Sequence, residues 1–199
     1  MQRFIIEQKI TMMANQYRVY PADDAGDKQE QVGFAHQKRF AFKEKFEVYT
    51  SDDKSAVLFT VQARNVIDLG GRYDVRDADG KLLGVLGKAF KSSLLRSTWQ
   101  IFAADQEEKP VAIARERNKA LAIFRRLWEF LPYLSDIPFF VKYHFDFVNP
   151  ETQDSLGSFE KTTRFRDYYL LTAEDGLLEK SDWRVLVALG IMLDALQSR

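Results

Sequence analysis

The densest run of side chains able to hold a ligand by charge lies between positions 88 and 126. Nine basic residues there (Lys88, Lys91, Arg96, Lys109, Arg115, Arg117, Lys119, Arg125 and Arg126) face four acidic ones. Residues 127–199 reverse the balance, with seven basic against twelve acidic groups. The 29 cations and 29 anions therefore cancel in sum but are polarised along the chain. Within the basic run, Ala120, Leu121, Ile123, Phe124, Leu127, Trp128 and Leu131 fall on one helical face, and Lys119, Arg125 and Arg126 on the other. An amphipathic helix of this kind over 118–131 can lie on an anionic membrane surface. The plainer reading is that its apolar face covers a barrel end while the charges are solvated. Arg115 and Arg117 share one strand face by alternation. The candidate anionic-lipid contacts are thus Arg115, Arg117, Lys119, Arg125 and Arg126. With zero net charge, no overall field recruits nucleic acid.

Other chemistry finds less to work with. Cysteine is absent, so disulfides, thiolate metal sites and a cysteine nucleophile are excluded, in keeping with a reducing compartment. His36 and His144 are the only histidines, and a structural or surface role is the plainer reading of each. Asp77-Ala78-Asp79-Gly80 looks like part of a calcium loop. With Gly80 at the sixth position, however, the first ligand would be Val75, and a hairpin turn explains the residues better. Gly80, Gly84 and Gly87 lack dinucleotide-fingerprint spacing, and no phosphate loop or nucleophile elbow occurs. Neither a catalytic set nor a metal or cofactor is expected.

The elements that must position these residues are mostly strands. A pattern of aromatic, any residue, apolar, then a polar turn opens at Tyr17, Phe46, Tyr73 and Trp99, with looser copies at Tyr143 and Tyr168. Aromatic and apolar residues two apart share a strand face, and the Asp or Asn that follows begins a turn. Asp79-Gly80 reads as a two-residue hairpin and Asn149-Pro150 as a further turn. One hairpin per interval, plus an opening strand near Phe4–Ile10, gives twelve strands. The others are expected near 16–21, 30–38, 45–50, 55–63, 71–77, 81–89, 97–103, 110–117, 139–148, 155–164 and 167–173.

Ser181 can cap a helix running over about 182–197, with Asp182 in its first turn. From Val185 to Leu193 that helix is apolar on every side, so it must be enclosed or sit in lipid. The stretch is far short of the ~20 apolar residues that cross a bilayer. About eight strands close on a core of side chains alone, whereas about twelve leave a wider bore. The reading is a single domain over 1–199: a mainly β, closed twelve-stranded antiparallel β-barrel enclosing a hydrophobic C-terminal α-helix, with one additional amphipathic helix. The first residues carry too short an apolar run for a signal peptide, so a cytoplasmic location, or one peripheral to a membrane, is the expectation.

The blocks Tyr73–Ala89 (YDVRDADGKLLGVLGKA) and Thr98–Arg117 (TWQIFAADQEEKPVAIARER), together with the apolar terminal helix, resemble the LURP-one-related proteins. These belong to the tubby C-terminal-like superfamily, which includes the phospholipid scramblases. The resemblance implies the same barrel around a central helix, and a binding module in which tubby domains engage phosphoinositides through basic surface residues. It carries over no individual ligand residue. The acidic calcium segment of scramblases is not recognisable and there is no cysteine to palmitoylate, so scramblase activity is not expected. Two functional classes stand beside each other: a non-enzymatic module engaging anionic phospholipid or a membrane surface, and a scaffold for a protein partner. The latter would use the apolar runs Phe130–Leu134 and Ile137–Phe140. An enzyme is the least expected, because the enclosed helix takes the space of a deep pocket.

Overall fold

A computed structural model of the chain describes residues 1–11, 14–38, 45–64, 71–89, 97–117, 144–162 and 167–197. It contains twelve strands: β1 (Gln2–Ile10), β2 (Ala14–Ala22), β3 (Gly33–Lys38), β4 (Lys45–Tyr49), β5 (Val57–Ala63), β6 (Arg72–Asp77), β7 (Leu82–Lys88), β8 (Thr98–Ala103), β9 (Ala112–Glu116), β10 (His144–Val148), β11 (Ser155–Lys161) and β12 (Asp167–Ala173). Each pairs antiparallel with its neighbours in sequence, and β1 pairs with β12, so the sheet closes on itself as an up-and-down barrel. Two helices follow β12: a single turn α1 (Asp175–Leu178) and the long α2 (Trp183–Gln197). The helix expected over 118–131 lies outside the described residues.

Alternation builds the wall as the repeat implies. Tyr17 and Val19, Trp99 and Ile101, and Phe145 and Phe147 are all 0–1% exposed and belong to the interior core. The last copy is one residue out of step. Tyr169 and Leu171 are buried, whereas Tyr168 and Leu170 are only partly covered. Two adjacent tyrosines fit the pattern equally well in sequence. A one-residue slip reverses the faces, and here Tyr169 faces in and stacks on Phe159 with ring centroids 5.0 Å apart.

Helix α2 fills the bore. Val185, Leu186, Val187, Leu189, Ile191, Met192 and Leu193 are each 0–1% exposed. Burying a side chain of this size is worth ~1.5–3 kcal/mol, so together they rival the whole net stability of a typical domain. Two glycines permit the close fit of helix to wall. A Cβ at Gly190 would lie 2.9 Å from the Phe159 ring, and one at Gly84 3.0 Å from Val185. Trp183 stacks on Phe4 where the helix starts, with centroids 5.0 Å apart.

The helix is capped by Asp182 and not by Ser181. The Asp182 carboxylate accepts the Arg184 N–H at 2.9 Å, and its backbone oxygen accepts from Val185 at 3.0 Å. Ser181 is still tied to the preceding turn through its own N–H to Leu177 O at 2.9 Å, which places it before the capping position. The Asp79-Gly80 hairpin also differs from expectation. Asp77 N–H bonds Lys81 O at 3.0 Å, the Asp77 carboxylate accepts the Asp79 and Lys81 amides, and Gly80 alone has positive φ (+83°). A two-residue type I′ turn needs positive φ at both central positions, so this is instead a three-residue connection with glycine at the left-handed position.

Candidate functional site

The expected contact residues divide between the wall and what lies outside the description. Arg115 and Arg117 alternate with the buried Ala112, Ala114 and Glu116 on β9, and so face outward together. Arg115 donates to the neutral amide oxygen Oε1 of Gln153 at 2.7 Å. Arg117 is bracketed by carboxylates, its Nε 2.7 Å from Asp146 and a terminal nitrogen 2.6 Å from Glu160. The hydrogen bond to Glu160, then that to Asp146, holds its guanidinium above the ordinary arginine range. Both carboxylates come from the acidic half of the sequence, because β9 borders β10 and β10 borders β11. The polarisation seen along the chain is therefore cancelled in space at this point.

Lys119, Arg125 and Arg126 lie outside the described residues, as do Lys91 and Arg96 and the apolar runs Phe130–Leu134 and Ile137–Phe140. The remaining basic positions scatter. Lys109 sits in the β8–β9 turn at the end of the barrel where α2 begins, and Lys88 ends β7 at the opposite end.

Two arrangements went unseen in the sequence. The first is inside, where α2 ends. Asp194 is 4% exposed, and its carboxylate accepts from the Tyr17 hydroxyl at 2.8 Å and from the Tyr169 hydroxyl. Gln8 Nε2 donates to the Tyr17 oxygen at 3.1 Å, while Gln8 Oε1 is buried without a hydrogen-bond partner among the described residues. Burial first, and then the charge of Asp194, raise the Tyr17 hydroxyl far above its ordinary value, so it stays protonated and donating. Glu116, 1% exposed, and Lys161, which lies over the Tyr169 ring, add further charge at this end of the interior. The second arrangement is outside: Arg64, Arg72 and Arg76 gather on β5–β6 around Asp74 and Glu107.

Of the histidines, His36 is exposed with Nδ1 2.7 Å from Lys54 Nζ, and His144 Nδ1 is buried without a hydrogen-bond partner among the described residues. Among the described residues no group of three or more His, Asp or Glu side chains is arranged to hold a metal ion. An open groove of about 360 Å³ lies where the β8–β9 and β10–β11 turns meet the end of α1. Its lining mixes three acids, Asp105, Glu151 and Glu179, with two bases, Lys109 and Lys180.

A closed meander of twelve strands with an apolar helix through its centre is a specific architecture, and the sequence matches the family description of the LURP-one-related proteins over residues 31–194. The chain belongs to the LURP-one-related family. Among solved structures, the crystal structure of a protein from Arabidopsis thaliana is similar. It shares 9% identity at a TM-score of 0.50, over 98% of this chain and 91% of the plant protein. At that identity the likeness is one of fold. No curated protein matches the sequence. No helix among the described residues is long and apolar enough to cross a membrane.

Proposed function

We propose that this LURP-one-related chain is a non-enzymatic binding module that engages an anionic phospholipid or membrane surface through its basic region, without a cofactor. The observation that carries this reading is the filled bore. With Val185 to Leu193 at 0–1% exposure, the helix takes up the bore, which favours the outer wall or the rims as the place where a partner is met. On the wall, Arg115 is the cation of β9 with charge to offer, since its partner Gln153 is neutral. Arg117, held between Asp146 and Glu160, contributes little beyond positioning. Lys119, Arg125 and Arg126 follow directly in sequence and complete the contact set.

Flotation of the full chain with phosphatidylcholine vesicles containing phosphatidylserine tests the reading. The wild type is expected to float at low ionic strength and to be released as salt rises, because screening shortens the reach of surface charge. Joint substitution of Arg115, Lys119, Arg125 and Arg126 by Gln is expected to abolish flotation, and Arg117→Gln alone to change it little. A folded wild type that ignores these vesicles at low salt ends the lipid reading and shifts attention to a protein partner.

A further inference from the structure

The outer wall over β5–β8 carries a charged feature that shares no residue with the β9 region. Along β6, Arg72, Asp74 and Arg76 alternate with the inward Tyr73 and Val75, and so lie on the outer face. Arg64, just beyond β5, reaches the same spot. Its Nε donates to Asp74 at 2.5 Å, and its two terminal nitrogens grip both oxygens of Glu107 at 2.5 and 2.8 Å. Glu107 belongs to the β8–β9 turn, which folds back across the wall. There it sits 3.5 Å from Arg72 and also offers its backbone oxygen to that guanidinium at 3.3 Å. Arg76 donates to Asp74 at 2.9 Å and to Gly80 O at 3.0 Å. Beneath them is a dry floor. Phe102 (2% exposed) and Val85 (0%) are buried apart from the interior core, and the Arg72 guanidinium lies 4.6 Å above the Phe102 ring.

We propose that Arg64, Arg72 and Arg76 form a binding site for a phosphate-monoester anion, which Glu107 fills in cis as a displaceable stand-in. Among the described residues three guanidinium groups face two carboxylates, which leaves one positive charge over in the network. The fork of Arg64 on Glu107 is the geometry that two phosphate oxygens reproduce, and a phosphate brings more charge than a carboxylate. Displacement is feasible because Glu107 and Arg64 are 31% and 35% exposed, and ion pairs at such sites hold weakly. Asp74, only 13% exposed, stays behind to orient Arg64 and Arg76. The apolar floor excludes water from one side of the site, which strengthens any ionic contact above it.

Calorimetric titration of inorganic phosphate into the full chain tests this, with sedimentation of phosphatidic acid vesicles as a second arm and phosphatidylglycerol vesicles as the diester control. Glu107→Gln removes the stand-in and is expected to tighten phosphate-monoester binding roughly five- to tenfold, the scale of one or two surface ion pairs. The arm in which the gain appears identifies the source as free phosphate or a lipid headgroup. Adding Arg64→Lys to Glu107→Gln keeps the charge but loses the fork, and is expected to cancel the gain. Arg76→Gln leaves the Glu107 contact in place and is expected to weaken phosphate binding, a readout that holds even if Glu107→Gln lowers stability. Failure of Glu107→Gln to tighten binding in either arm, or indifference to Arg76→Gln, overturns the proposal. The variant lacking the Arg115, Lys119, Arg125 and Arg126 charges is expected to keep its phosphate binding whether or not it floats with vesicles, so the two readings fail separately.

Discussion

Replacing Tyr17 by Phe deletes one oxygen from a side chain that is 0% exposed and leaves the ring in place. Two contacts go with it: the 2.8 Å donation to Asp194, and the acceptor that receives Gln8 at 3.1 Å. A hydrogen bond to an ionised group is worth ~1.5–3 kcal/mol, and the vacated space is too small for water to restore it well. The expected loss is about 2 kcal/mol, which for a domain of this size lowers Tm by ~4–8 °C. Urea unfolding followed by tryptophan fluorescence, to which buried Trp99 contributes, measures it, with the m-value unchanged if only native contacts are lost. The decisive form is a double-mutant cycle with Asp194→Asn. Groups in direct contact through a charged bond should couple by ~1 kcal/mol, whereas independent sites add to within ~0.3–0.5 kcal/mol. Additive losses would refute the claim that Tyr17 holds the end of the central helix through Asp194.

Alkaline pH probes the same hydroxyl. Burial and then Asp194 raise its folded-state value above the ordinary 10.0, so the unfolded chain gives up this proton first. The contribution of Tyr17 is therefore intact below pH about 10 and is lost above it at ~1.4 kcal/mol per pH unit, a slope that Tyr17→Phe should reduce by one proton in pH-dependent unfolding. Gly190→Val forces a side chain against Phe159 and Ile6, where even a Cβ would lie at 2.9 and 3.1 Å. A loss of ~1–3 kcal/mol by urea titration is expected, and a neutral result would mean that the helix can shift within the bore. Asp182→Ala removes the cap of α2 and should cost ~1 kcal/mol, while Ser181→Ala, which removes a buried hydroxyl with no hydrogen-bond partner among the described residues, should cost less in the same assay. Deletion from Ser181 onward should abolish cooperative thermal unfolding, since it empties the bore, and a soluble truncation that melts cooperatively would sink the plugged-barrel account.

The strands and the central helix could be read from the sequence because local signals carry them. Aromatic-x-apolar alternation ends in Asp or Asn turns, and α2 is apolar on every face. Where two adjacent residues offered the same signal, locality failed. Tyr168 and Tyr169 are both aromatic, and the stack on Phe159 decides between them. Ser181 and Asp182 can both cap, and a backbone bond to the preceding turn decides. Asp194 stands one residue past the apolar stretch Val185–Leu193, outside the signal that marks the helix as enclosed. A lone carboxylate one residue further on, in a helix that must be enclosed, was the available signal that buried donors such as Tyr17 and Tyr169 had to exist. The pairing of Arg64 with Glu107 spans 43 residues, and only the folded turn brings them together.

The barrel's topology also decides which of its charges can act. In an up-and-down meander, segments adjacent in sequence are adjacent in space, so a basic stretch followed by an acidic one places the two signs on neighbouring strands. Arg117, just past the end of β9, thus meets Asp146 on β10 and Glu160 on β11. Net charge along the chain then overstates the field at the wall, and a cation count over 88–126 is the wrong measure of a binding surface. The relevant quantity is the local excess of guanidinium over carboxylate. Among the described residues that excess survives at Arg115, whose partner is an amide, at Arg3, which donates to the backbone oxygens of Asp23 and Asp24, and at the Arg64–Arg72–Arg76 cluster, where three cations share two anions. In a fold whose bore is filled by an apolar helix, such surface excesses are the natural places to recognise an anion, and their strength should fall with added salt in a way that an enclosed pocket's would not.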